Sequence, residues 1–297
     1  MRAVPQGGCL RSGPQANGVR GKQHGYHGFG QGRHAAGAEP PGCGAPHLPT
    51  GDEEFAKTRS YEGPLAAFDT ETTGVDVEQD RIVSAALLVQ ECAGGRVRAT
   101  RWLVNPGIPV PPGATEVHGL TDEHLQRNGR WPAPVVEEIA LALGEQQVAG
   151  RPVVVMNAPF DLTLLDRELR RHRASTLARY LDNRPLTVLD PRVLDKHLDR
   201  YRKGRRTLTD LCEHYGVPLE GAHDAAADAL ASLELVRAVG RRFASRLERL
   251  TPSELHTLQQ VWHAAQARGL QAWFARQGTP EPVDPHWPLR PEVPAAA

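Results

Sequence analysis

The order of the apolar runs between Pro64 and Tyr215 is what most restricts the fold of this chain. Three strand-like stretches come first: Pro64–Phe68, which runs on into "DTETTG"; "RIVSAALLVQE" from Arg81; and "RVRATRWLV" from Arg96. The turn Ala93-Gly94-Gly95 joins the last two as a hairpin. After them the period changes. Pro132 to Val148 reads as an amphipathic helix, with Val135, Val136, Ile139, Leu141 and Leu143 as its apolar side. "RPVVVMN" (151–157) is a short buried strand, "APFDLTLLDRELRRH" (158–172) a helix, "LTVLD" (186–190) a fifth strand. Helices follow at Thr207–Tyr215 and from His223 to about Leu250, the latter striped by Leu230, Leu233, Val236, Phe243 and Leu247. A meander followed by alternating strands and helices predicts an α/β fold, a mixed five-stranded sheet flanked by helices.

The flanks differ from this core. Thirteen of the 29 glycines lie in the first 51 residues, among Gln, His, Arg and Pro, with almost no aliphatic side chains. Residues 1–60 therefore read as a disordered tail, since they cannot bury enough apolar surface to offset ordering entropy. Residues 61–250 form the predicted domain. "TPSE" (251–254) is a capping box opening a C-terminal helix over 251–278. The Pro-rich stretch 279–297 is expected to be extended.

The 35 basic and 35 acidic residues leave no net charge, so any nucleic-acid binding must come from local patches. No apolar run approaches the ~20 residues that span a bilayer, and the first residues lack the apolar core of a secretory signal. Cys9, Cys43, Cys92 and Cys212 show no CxxC spacing. This predicts a reducing cytoplasm and argues against a zinc site or disulfide framework.

Acidic residues cluster where the strands end. Asp69 and Glu71 are two apart at the end of the first strand, so their side chains share a face. Carboxylates held that close repel one another unless a proton or cation sits between them. Asp161 stands early in the helix after the fourth strand, and sites in open α/β sheets gather at such strand ends. "HDAAADALA" supplies His223 and Asp228, with Asp224 as an N-cap candidate that leaves His223 just outside the helix.

Together these clusters resemble the DEDDh family of 3′–5′ exonucleases, the family of the proofreading epsilon subunit of bacterial DNA polymerase III. "FDTETTG" matches its first motif, "NAPFD" its second and "HDAAADA" its third, at the family's His-x4-Asp spacing. "ATEVHGLTDEHL" (114–125) resembles the segment that touches the substrate's 3′ end. Met156 departs from the polar residue or His that many relatives carry before the Asn, at a position without a catalytic role.

The resemblance implies a ribonuclease-H-like sheet and two ions, Mg²⁺ or Mn²⁺, which suit an all-oxygen ligand set. Asp69 would bridge both ions, Glu71 and Asp228 serve one, and Asp161 support the other. His223 would be the general base. Thr72 and Thr73 would hold the terminal 3′-hydroxyl. His118 and Leu120 would lie against the last base, although His118 equally suits a loop cap. Asn157 is either a substrate contact or a helix cap.

"RYRKGRR" (200–206) is either a phosphate-tracking loop or an exposed one. Asp190 and Asp195 match no metal motif. The implied substrate is single-stranded or frayed DNA 3′ ends, with RNA as the alternative. The implied product is 5′-mononucleotides, and the C-terminal helix either packs on the domain or meets a polymerase or repair partner. A binding module that had merely kept the fold would have lost a ligand, and none is missing.

Overall fold

A computed structural model describes residues 61–292. The expectation of disorder for residues 1–60, and the end of the Pro-rich stretch, lie outside the described residues.

The apolar start of "LAAFDTET" becomes β1 (Leu65–Thr72), and β2 (Ile82–Gln90) and β3 (Val97–Leu103) complete an antiparallel meander. Two short helices, α1 (Pro112–His118) and α2 (Asp122–Asn128), precede α3 (Pro132–Val148). Next come β4 (Val153–Val154), α4 (Ala158–Arg173), α5 (Leu177–Tyr180) and β5 (Val188–Leu189). The chain then runs through α6 (Pro191–Leu198), α7 (Leu208–Tyr215), α8 (Ala225–Arg242), α9 (Ala244–Leu247) and α10 (Pro252–Arg276). The sheet order is β3-β2-β1-β4-β5, with β4 and β5 parallel to β1. It is a mixed five-stranded sheet with helices on both faces, as the pattern predicts.

Alternation along β1 divides the core into two layers. Ala66 and Phe68 pack with Val135, Ile139, Leu162 and Leu165 of α3 and α4. Leu65 and Ala67 pack with Ala225, Ala229, Leu233 and Val236 of α8. Period two on the strand meets helical period on both sides. Two apolar residues expected in these stripes face solvent instead: Leu141 is 52% exposed and Leu230 39%. Each lies on the outer side of its helix, with buried residues of the same helix before and after it in the chain. The helix expected from His223 to Leu250 is broken at Phe243, whose φ of −113° ends α8.

The C-terminal helix packs on the domain by completing the sheet edge. A strand at a sheet edge leaves N–H and C=O groups unpaired. Along β5 the Val188 N–H donates to His256 Nδ1 (3.1 Å) and the Asp190 N–H to Gln259 Oε1 (2.8 Å). Gln259 Nε2 donates back to the Val188 carbonyl at 3.1 Å. The segment after α10 has no regular structure, yet its Trp287 is buried in the core and donates to Asp190 Oδ2. Gln259→Ala is expected to destabilise the protein by about 2–4 kcal/mol, because it leaves buried backbone groups of β5 without partners. A denaturant midpoint equal to wild type would show that water replaces the side chain.

No helix among the described residues is long and apolar enough to cross a membrane. Among the described residues, Cys212 is a buried free thiol.

Candidate active site

At the end of β1 the pairing with β2 shifts register between Glu71 and Thr72. Such an irregularity bends the strand and re-aims the side chains beside it. The following turn is tightly closed. Thr73 Oγ1 donates to Asp80 Oδ1 (2.7 Å) and accepts from the Arg81 N–H (3.0 Å), and the Thr73 N–H donates to the Arg81 carbonyl. A Cβ on Gly74 would lie 2.5 Å from Asp80 Oδ2, which explains the glycine.

Asp69 and Glu71 face the α8 layer, and there they meet Asp228. Each of the three offers an oxygen, all within 4.8 Å of one another. Asp224 caps α8 by accepting from the Ala226 and Ala227 N–H groups, as its position predicts. His223 stands just before it, exposed, with φ at 69°. A left-handed conformation is costly for a residue with a Cβ and is kept where its surroundings require it. Here it aims the His223 N–H at both Asp228 oxygens, at 3.3 and 3.4 Å.

Asp161 belongs to the other layer. It is buried on α4, and its Oδ1 accepts from the Thr70 hydroxyl (2.7 Å) and the Thr70 N–H (3.1 Å). Thr70 lies between the two β1 acids and points to the opposite face, so one strand end serves both helices. Sequence reasoning passed over Thr70, although strand alternation places it towards α4.

The charges are unreconciled. Burial raises Asp69 well above the carboxylate range, and the charges of Asp161, Asp228 and Glu71 add to it. Burial, then Asp228 and Asp161, push Glu71 up to about 8. Burial lifts Asp161 to about 7 against the bonds from Thr70. Burial also raises Asp228, opposed by the His223 N–H. No lysine or arginine is among the causes of these shifts, and the only opposing charge is that of His223 on Asp228. All-oxygen donors that crowd one another in this way fit hard divalent cations, whose binding would ionise them.

A pH dependence follows. The folded values lie above the unfolded values near 4, so the native chain binds more protons over the window from about pH 4 to 8. Its metal-free stability is therefore expected to fall as pH rises through that window. Mg²⁺ should raise the melting temperature most at the alkaline end and release protons on binding. Equal melting with and without Mg²⁺ at about pH 8 would contradict the site.

The other expected site residues are less uniform. Thr72 Oγ1 donates to the Gly74 carbonyl, and Thr73 is buried with its hydroxyl and N–H both engaged in the turn. Thr73 thus shapes the turn. His118 Nδ1 accepts from the Leu120 N–H (3.1 Å), so it does cap that loop. Burial lowers its pKa, as does the charge of His223, while the Thr72 backbone raises it. Leu120 packs beside Val83, Val110 and Leu125. Asn157 (φ 60°) makes no side-chain cap; its Oδ1 accepts from Arg192 at 2.7 Å.

A second acidic group, Asp195, Asp199 and His214, has similar spacing. Asp195 is buried beneath Arg202 and Arg206 and accepts from the Tyr215 hydroxyl, so its charge is already balanced. This corrects the phosphate-tracking reading for two arginines of "RYRKGRR", which point inward. Asp190 caps α6 and accepts from the Ala158 N–H.

Known proteins resemble this chain in sequence and in fold. The family profile described as Exonuclease (RNase T) matches residues 66–236. A DNA polymerase III subunit epsilon-like protein of Rhodobacter capsulatus is 32% identical over 189 residues, 62% of this chain and 25% of that protein. The DNA polymerase III subunit epsilon of Treponema pallidum is 28% identical over 172 residues, 58% of this chain and 74% of that one. The chain thus spans a quarter of the first relative's length and about three quarters of the second's. Among solved structures, an exonuclease I superposes with a TM-score of 0.55 at 19% identity, covering 63% of this chain and 42% of that one. Exonuclease I of E. coli in complex with a dT13 oligonucleotide gives 0.53 at 19% identity, over 62% and 42%. These structural likenesses show the fold.

Proposed function

Because the chain belongs to the Exonuclease family, we propose that it removes nucleotides one at a time from the 3′ ends of DNA, in proofreading or repair. The observation that carries this reading is the convergence of Asp69, Glu71 and Asp228, with the His223 N–H held against Asp228.

Asp69, Glu71 and Asp228, with Asp161 from the opposite layer, would hold two divalent ions, Mg²⁺ or Mn²⁺. When bound, such ions clamp the attacking and leaving oxygens and make water a better nucleophile. The chain supplies the rest. Thr70 fixes Asp161, and Asp224 and the backbone of His223 fix Asp228. The His223 imidazole takes a proton from the attacking water as its general base. The bond from phosphorus to the 3′ oxygen then breaks. The 3′ oxygen leaves with its electron pair and takes a proton, and the product is a 5′-mononucleotide. Leu120 and His118 meet the terminal base, and the β1 turn with Thr72 meets its 3′-hydroxyl.

Frayed or single-stranded ends suit this site. The reading implies a cytoplasmic enzyme. A polymerase or repair partner would meet the outer side of α10, where Val261 is 60% and Trp273 47% exposed.

The test is kcat/KM on matched DNA and RNA single strands with Mg²⁺. The reading expects DNA to be the better substrate. A clear preference for RNA would make the chain an exoribonuclease, of the RNase T or oligoribonuclease type.

A further inference from the structure

A cavity of about 320 Å³ opens between the start of α4, helices α6 and α10, and the segment after α10. One wall is cationic, with Arg192 and Lys196 from α6 and Arg290 from the C-terminal segment. The lining also has an apolar part, with Val193 of α6, Leu270 of α10 and Val283 of the C-terminal segment.

These cations have bonding capacity to spare. Lys196 is half-buried and, among the described residues, has neither a hydrogen bond nor an ion pair. Burial, with the charges of Arg192 and Arg206, lowers its pKa. The Arg192 guanidinium makes one hydrogen bond, to the neutral Asn157 Oδ1. Arg290 Nε is buried without a hydrogen bond, its closest carboxylate oxygen being Asp284 Oδ2 at 3.9 Å.

The acids in the cavity wall are committed elsewhere. Asp190 accepts from the Ala158 N–H, the Arg192 N–H and Trp287 Nε1. Asp284 accepts from the N–H and ring of His286. Three under-used cations beside an apolar wall call for an anion that carries an apolar body.

Position selects which anion. Asn157 lines the cavity, and Asp161 lies one helical turn further along α4. We infer that the cavity holds one nucleotide unit of the strand being degraded, its phosphate between Arg192 and Lys196 and its base or sugar against Val193, Leu270 and Val283. The volume is of the order of small-ligand sites. This rests on the proposed action on nucleic-acid strands, and it makes the C-terminal segment part of the substrate path.

The test measures binding of a labelled single-stranded oligothymidylate to the full chain by fluorescence anisotropy, in EDTA so that nothing is cleaved. Lys196→Gln is expected to weaken binding about tenfold and to reduce the salt dependence by about one counterion. Lys196→Glu should weaken it further, and Lys196→Arg should stay near wild type. Hydrolysis of thymidine 5′-(4-nitrophenyl phosphate), which has no second nucleotide unit and needs the carboxylate cluster and His223 but not the cavity, should be unchanged across the series.

Wild-type binding by Lys196→Glu would overturn the inference. So would parallel losses of strand binding and ester hydrolysis, or competition for Lys196 by an acidic peptide or thymidine 5′-monophosphate while strand binding stays intact. Failure of every variant and the wild type to hydrolyse any substrate would contradict the proposed activity instead, and the anisotropy series would still decide the cavity.

Discussion

Asp69→Asn is expected to lower the cleavage rate at least ~10³-fold while leaving the fold intact. Burial and the charges of four other carboxylates, Asp161, Asp228, Glu71 and Asp224, together raise Asp69 well above the carboxylate range. The substitution keeps the shape of the side chain and removes the charge, so the metal-free variant should melt at a higher temperature than wild type above about pH 7. Mg²⁺ should then add little to its melting temperature. Lost activity with a raised metal-free melting temperature is the signature of a removed ligand. Lost activity with a lowered one would mean that the substitution damages the strand. Wild-type turnover in the presence of Mg²⁺ would remove Asp69 from the site.

His223→Ala should slow cleavage by about 10²–10⁴-fold, the usual worth of a positioned base. Its main-chain N–H, not its ring, contacts Asp228, so alanine can keep that bond. Mg²⁺ binding measured by calorimetry should therefore be close to wild type. Loss of one ion from the stoichiometry would make His223 a ligand. His223 is exposed, and the caps on α8 come from Asp224, so thermal stability should barely change.

Much of this site can be read in the sequence because the chemistry is tied to element ends. The apolar run of β1 stops where Asp69 begins to be partly exposed, and "HDAAADA" places a cap, the proposed base and a proposed ligand within six consecutive residues. The layer that each acid occupies is also readable, from alternation along β1. What escapes the sequence depends on contacts distant along the chain. Leu141 and Leu230 fit the apolar stripes by composition, but each points to the outer side of a helix whose buried stripe runs on past it. Arg202 and Arg206 look like surface cations until Asp195, on a neighbouring helix, draws them inward. Trp287 lies in a Pro-rich stretch with no period, and only the fold brings it to Asp190. Gln259 reads as a solvated helix residue, yet it is fully buried because β5 has a free edge to satisfy.

The central claim is that the carboxylates at the end of β1 cleave nucleic acid from its 3′ end with the help of a divalent ion. A 5′-labelled single strand incubated with the full chain and Mg²⁺ tests it most directly. The expected result is a ladder that shortens by one nucleotide at a time, with 5′-mononucleotides released, and that is abolished by EDTA and by Asp69→Asn. Release of the label from the 5′ end, internal cuts, or a ladder that persists in EDTA would contradict it.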